Sequence, residues 1–131
     1  MAGNESMWTS DELSRIEAAE ELEIAPRRPD GSLRRPVTIW VLRRGDGIYV
    51  RSVNGPGSSW YRGSRARREG RIEAGGVVKP VEFVDDREMN DEIDVAYRTK
   101  YRRYSANTLD RITSPEARST TIRLVPRSTA N

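Results

Sequence analysis

The chain contains no cysteine and no histidine in its 131 residues. The first absence excludes disulfides, thiolate nucleophiles and Cys-held metals. The second removes the commonest general base and the commonest zinc ligand together. Ser-His-Asp and Cys-His triads therefore cannot be assembled from this chain. A metal would depend on carboxylates alone, and their spacing shows no ordered ligand set, so no metal is expected. No apolar run approaches the roughly 20 residues that span a bilayer. The N-terminal MAGNESMW lacks the basic-plus-apolar pattern of an export signal. The expectation is a cytoplasmic protein that does not engage a membrane. Lysine is also scarce, occurring only at Lys79 and Lys100, so the basic side is nearly all arginine. Arginine is the planar side chain that grips phosphate bidentately.

About a third of the residues are charged, 35% are hydrophobic and the net charge is only +3, which suits one small α+β domain over residues 1–131. Residues 1–7 and 126–131 read as frayed ends. Thr9-Ser10-Asp11-Glu12 reads as a capping box that opens a helix running to about Glu21, with Trp8 and Leu13 as its hydrophobic staple. Leu22–Arg27 alternates like a strand. Arg28-Pro29-Asp30-Gly31-Ser32 is a turn. Val37–Leu42, rich in β-branched and aromatic residues, reads as a central strand. Gly45-Asp46-Gly47 closes a hairpin to Ile48–Val53. A short helix follows over Ser58–Glu69. Arg71–Ala74 and Val77–Val84 then form a hairpin, with Pro80 placing the second strand at an edge or a bulge. Glu88–Tyr104 has a helical stripe, Asn107–Pro115 reads as a linking segment, and Ser119–Val125 as a closing strand. About six short strands with an N-terminal helix and a second helix after the hairpins predict a small antiparallel barrel.

The stretch YVRSVNGPGSSWYRG, Tyr49–Gly63, concentrates binding chemistry. Glycines let backbone approach a ligand, Ser58 and Ser59 can open a helix whose N–H groups favour an anion, and Trp60 and Tyr61 offer flat faces. Each candidate also has a plain structural reading. Arg34 and Arg35 hold phosphate or are strand-end charges. Arg51 is expected to be exposed, since an inward arginine needs a partner. Trp60 and Tyr61 read as core anchors before ring platforms. The Tyr97, Tyr101 and Tyr104 stripe reads as core packing, with hydroxyls that could still reach a pocket rim.

The order of these pieces (RPDGSLRRPV, YVRSVNGPGSSWYRG, a tyrosine-bearing helix, then TIRLVP) resembles the deazaflavin (F420)-dependent nitroreductase-like split barrels, relatives of FMN-binding split-barrel proteins. More narrowly the chain resembles the DUF2255 family from Trp8 through Arg127. The resemblance implies a split β-barrel and a homodimer. It implies a cofactor site at Arg28, Gly31, Ser32, Arg34, Arg35, Ser52, Asn54, Gly55, Trp60 and Tyr61, to which arginine and serine chemistry adds Arg51 and Ser58 as phosphate-holding candidates. It also implies that Tyr97, Tyr101 and Tyr104 lie over a substrate pocket, and Trp40 is a further candidate for its wall. The sequence departs from the family at Pro56, which displaces a second glycine, and at Arg62-Gly63 after the Trp-Tyr pair. Both changes touch the cofactor cradle.

Three functions follow. The first is an F420- or FMN-dependent oxidoreductase acting on a small organic molecule, because hydride transfer needs neither histidine nor cysteine. The second is a cofactor-free barrel that binds or rearranges a small molecule. The third is polyanion binding through Arg62–Arg71, against which Glu69, Glu73 and the small net charge weigh, so nucleic acid is not the expected partner.

Overall fold

A computed structural model describes residues 7–127. Its first helix, α1 (Ser10–Ala18), starts as its sequence dictates. Thr9 caps it, the Thr9 hydroxyl accepting from the Glu12 N–H while Glu12 accepts from the Thr9 N–H. Trp8 and Leu13 on either side of the cap are both buried, and the Trp8 indole N–H donates to the Leu124 carbonyl at 3.0 Å. Glu12 also pins α1 to the sheet, since its other oxygen accepts from Lys79 Nζ at 2.7 Å.

Burial alone would raise the Glu12 carboxyl, but hydrogen bonds from Lys79 and the Thr9 backbone outweigh it and hold the group below its ordinary 4.5. A carboxylate depressed on folding contributes stability above the unfolded value and loses it as pH falls through the folded one. Wild type should therefore lose stability faster below about pH 4.5 than Glu12→Gln, which retains the capping box but not the charge. Thermal unfolding between neutral and acid pH checks this, and parallel curves for the two proteins would refute it.

Seven strands make one antiparallel sheet: β1 (Leu22–Pro26), β2 (Val37–Ile39), β3 (Leu42–Arg44), β4 (Gly47–Val50), β5 (Glu69–Ala74), β6 (Val77–Asp85) and β7 (Ile122–Pro126). Their order is β2-β1-β5-β6-β7-β4-β3. The run expected to be one central strand is thus broken, its halves forming the two opposite edges. Only Trp40 and Val41 lie between them, and three residue steps reach at most roughly 11 Å. The sheet must therefore curl until its edges nearly meet, which makes it a half-barrel. Pro80 lies in β6 between two neighbours, yet β7 pairs with β6 only from Val81 onward. The missing N–H of Pro80 thus falls at a locally free edge, and its carbonyl accepts from Arg127 N at 2.9 Å. Pro126, expected to fray, pairs with Val81 as the end of β7. Residues 1–6 and 128–131 lie outside the described residues.

The remaining helices are α2 (Ser59–Arg67), α3 (Asn90–Lys100), α4 (Ala106–Ile112) and α5 (Pro115–Arg118), with a 3-10 turn at Gly55–Gly57. The segment read as a link thus carries two helices. Their signals were local: Ser105 caps α4 and Ser114 caps α5 ahead of Pro115. The larger core fills the half-barrel with Ile16, Leu22, Ile24, Ile48, Trp60, Ile72, Phe83 and Leu124 among others. A smaller core under α3 and α4 joins Leu42, Tyr49, Ile93, Tyr97, Tyr101, Leu109 and Ile112.

The seam between the two sheet edges is closed by Tyr101. Its hydroxyl donates to the Glu20 carbonyl at 2.7 Å and accepts from the Val41 N–H at 3.1 Å. A phenol has one proton, so the Val41 carbonyl is served instead by Lys100 Nζ at 2.8 Å. Tyr101→Phe keeps the ring but strands the buried Val41 N–H. The expected cost is about 1–3 kcal/mol, read in a denaturant titration; an unchanged midpoint would mean that the hydroxyl does not hold the seam.

Candidate functional site

The arginines of the Arg28–Arg35 segment meet the start of α2. A cavity of about 300 Å³ is lined by Arg28, Arg34, Arg35, Val37, Ser59 and Trp60, with prolines at its sides and no carboxylate. None of the three arginines forms an ion pair among the described residues. Arg28 donates only within its own turn, to Ser32 Oγ and the Leu33 carbonyl. The Arg34 Nε is buried without a hydrogen-bond partner. Arg34 reaches this position across α2 at Gly63, where a Cβ would sit 2.6 Å from its Nε. The glycine there is therefore a matter of space for the guanidinium. Ser58 precedes α2 but does not cap it; its hydroxyl lies 2.7 Å from Ser52 Oγ instead. The first-turn N–H groups of α2 are left without a side-chain acceptor, beside three cations.

The rest of the expected cofactor set does not converge there. Ser32 spends its hydroxyl and N–H on Asp30, at 2.7 and 2.9 Å, and those bonds hold the Asp30 carboxyl below its usual range. Gly31, with φ +93°, supplies the turn and faces Arg67. Ser52 is buried and ties the next bend together through the Gly55 carbonyl and Ser58. Gly55 packs against Glu116, and Asn54 accepts from Arg111 at 2.5 Å on the far side of the bend. The 3-10 turn separates these groups from Ser59 and Trp60. Trp60 and Tyr61 are both buried in contact with the main core, edge to face with each other, so neither presents a free face for a ring. Their core reading is the one the structure supports.

Arg51 corrects a sequence expectation outright. It is 1% exposed, facing inward. Nε donates to Thr121 Oγ1 at 2.9 Å, Nη1 to Asp94 at 2.6 Å and the Ile112 carbonyl at 3.1 Å, and Nη2 to Asn90 Oδ1 at 3.0 Å and the Asn90 carbonyl at 3.2 Å. Every donor is committed, so Arg51 has nothing left for a phosphate. Asp94 is shared with Arg118, which also reaches Asp91. Alternation along Ile48–Val53 correctly places Arg51 opposite its neighbours. What it could not reveal is that α3 covers that face and brings Asp94 to it.

The tyrosine stripe divides as well. Tyr97 and Tyr101 are fully buried, and burial pushes both phenols well above their ordinary range. The Tyr97 hydroxyl is buried without a hydrogen-bond partner. Tyr104 is 37% exposed, donates to Glu20 at 2.5 Å and packs its ring against Trp40. Of the expected substrate wall, only Trp40 faces a cavity. That cavity, about 260 Å³, lies between the β2 edge and α4 and brings Trp40 together with Ile39, Val53, Arg111 and Ile112. Arg111 is a site residue that sequence reading missed, because it lay in the segment taken for a link. The basic run after Trp60 is largely neutralised: Arg65 and Arg68 pair with Asp85, and Arg67 with Glu69. No group of three or more His, Cys, Asp or Glu side chains suited to a metal occurs among the described residues. No helix among them is long and apolar enough to cross a membrane.

A curled antiparallel half-barrel with helices over its seam defines a split-barrel fold. The chain belongs to the family described as "Uncharacterized protein conserved in bacteria (DUF2255)", matched over residues 12–124. Two solved structures share the fold. One, described as an F420 reductase, is 16% identical with a TM-score of 0.55, covering 89% of this chain and 92% of that one. The other, conserved hypothetical protein Rv2991 from Mycobacterium tuberculosis, is 12% identical with a TM-score of 0.58, covering 96% and 84%. Comparison with curated proteins finds no match.

Proposed function

We propose that this protein binds an anionic cofactor of the FMN or F420 type and serves as an oxidoreductase on a small organic molecule. The observation that carries the reading is the cavity at Arg28, Arg34 and Arg35: three guanidiniums without ion pairs among the described residues, no acidic lining, and the uncapped start of α2. That donor set suits a phosphate, which accepts parallel N–H bonds from a guanidinium fork. A cavity of about 300 Å³ holds the phosphate end and little more. Val37 lines this cavity, while its neighbours Thr38 and Ile39 line the one at Trp40. A ligand anchored at the arginines would thus extend along β2 toward Trp40. When bound, such a cofactor supplies hydride transfer, and the protein's part is to hold and orient it. The arginines bind the tail, and the edge strand β2 lays out the path toward the indole.

A second reading, a cofactor-free barrel binding a small molecule, draws on the commitment of Trp60 and Tyr61 to the core and of Ser52 and Asn54 to internal bonds. Titration of the protein with FMN and with F420, followed by cofactor fluorescence, separates the two. Binding in roughly the micromolar range that weakens with added salt is expected. No binding of either cofactor would overturn the first reading and leave the second.

A further inference from the structure

We infer that the cavity between β2 and α4 is a binding site for a flat aromatic monocarboxylate, with Trp40 as the ring platform and Arg111 as the partner of the carboxylate. Trp40 is held in place before any ligand arrives. Its indole stacks on Tyr101 with ring centroids 3.8 Å apart and planes 2° from parallel. Tyr101 is in turn fixed by its hydrogen bonds to Glu20 and Val41. A platform already ordered loses little entropy on binding. Ile39, Val53 and Ile112 make the surrounding wall apolar, which suits a ring and not a sugar.

The charge lining is specific. Two arginines border the cavity, but Arg51 has every donor committed. Arg111 is different. Its one hydrogen bond is to the neutral Asn54 Oδ1, and it pairs with no carboxylate among the described residues. Asn54 thus steadies the guanidinium without neutralising it and leaves donors for a carboxylate. Glu21 also borders the cavity and is exposed, so a second negative charge on the ligand would meet repulsion. A volume of about 260 Å³ lies below the range for drug-sized ligands and accommodates one or two fused rings. This cavity shares no lining residue with the arginine cradle, so the aromatic acid can be tested in the protein without a cofactor, although a long cofactor reaching Trp40 would compete with it.

The test is a calorimetric titration of the whole protein with naphthoate, its neutral amide, and naphthalene dicarboxylate. Naphthoate should bind about tenfold or more tighter than the amide, because a charge-assisted pair is lost. It should also bind more tightly than the dicarboxylate. Arg111→Gln should abolish the preference for acid over amide with an unchanged unfolding midpoint, and Arg35→Ala should leave naphthoate binding intact. Equal affinity for acid and amide, an unaltered preference in Arg111→Gln, or loss of naphthoate binding in Arg35→Ala would each overturn the assignment. The last would place the acid in the arginine cradle. Failure of FMN and F420 to bind, with naphthoate still bound, would overturn only the cofactor reading.

Discussion

Replacing Arg51 by methionine should cost the fold about 3–5 kcal/mol, a fall in Tm on the order of 10 °C or more. The length of the side chain survives, but its charge and all its donors are lost. Asp94, whose side chain is 20% exposed, would keep only Arg118, while the Asn90 and Ile112 acceptors behind it would lose their guanidinium donor. The cost is thus the penalty of stranded partners more than the worth of the original pair. A double-mutant cycle separates the two. Arg51→Met combined with Asp94→Leu removes both charges, and Arg118 retains Asp91 at 2.9 Å, so the double variant should be more stable than Arg51→Met alone. A Tm within a few degrees of wild type for Arg51→Met would mean that the network does not hold α3 to the sheet. If Arg51 instead gripped a cofactor, its loss would weaken binding and leave the apoprotein's stability intact.

The opposite signature is expected at the cradle. Removing Arg34 and Arg35 together should weaken binding of FMN or F420 by a hundredfold or more, taking about 1.5–3 kcal/mol for each charge-assisted contact. The Tm should barely move, because neither side chain is in an ion pair among the described residues and Arg35 is exposed. Gly63→Ala makes the sharper test. Alanine favours a helix over glycine by about 1 kcal/mol, so α2 should not be weakened. Its Cβ, however, would sit 2.6 Å from Arg34 Nε and 2.8 Å from Cδ, and the flexible guanidinium end must give way. Binding should fall while stability holds or rises. Binding unchanged in both variants would show that the cradle does not take the anion.

Local chemistry made part of this fold legible in one dimension. The capping box at Thr9 and Glu12, the Gly45-Asp46 and Gly75-Gly76 hairpins, the helix after Ser58 and the stripe of α3 all depend on residues a few positions apart. They sit in the structure close to where their patterns place them. The helices α4 and α5 were legible too, through their serine caps and Pro115, but their apolar positions are too few to form a stripe. Val37–Leu42 reads as one strand because its composition says extended and buried and nothing about which neighbours it has. The break at Trp40 follows from the curvature of the whole sheet.

The candidate site was less legible, for a related reason. Arg28, Arg34 and Arg35 could be named as anion ligands because arginine chemistry and a turn lie close together in the chain. Whether a given arginine is free or spent depends on what packs against it. Arg51 meets Asp94, 43 residues on, while Arg111 hydrogen-bonds only Asn54 among the described residues. By itself, the amino-acid sequence determined which chemistries are closed to this protein, the absence of histidine and cysteine being decisive, along with the local elements and the arginine-rich turn. Only the tertiary structure decided which guanidinium is buried in a network, which three remain beside the start of α2, and which aromatics border a cavity. Side-chain type is a property of one position, whereas pairing and exposure depend on distant segments brought together when the sheet curls.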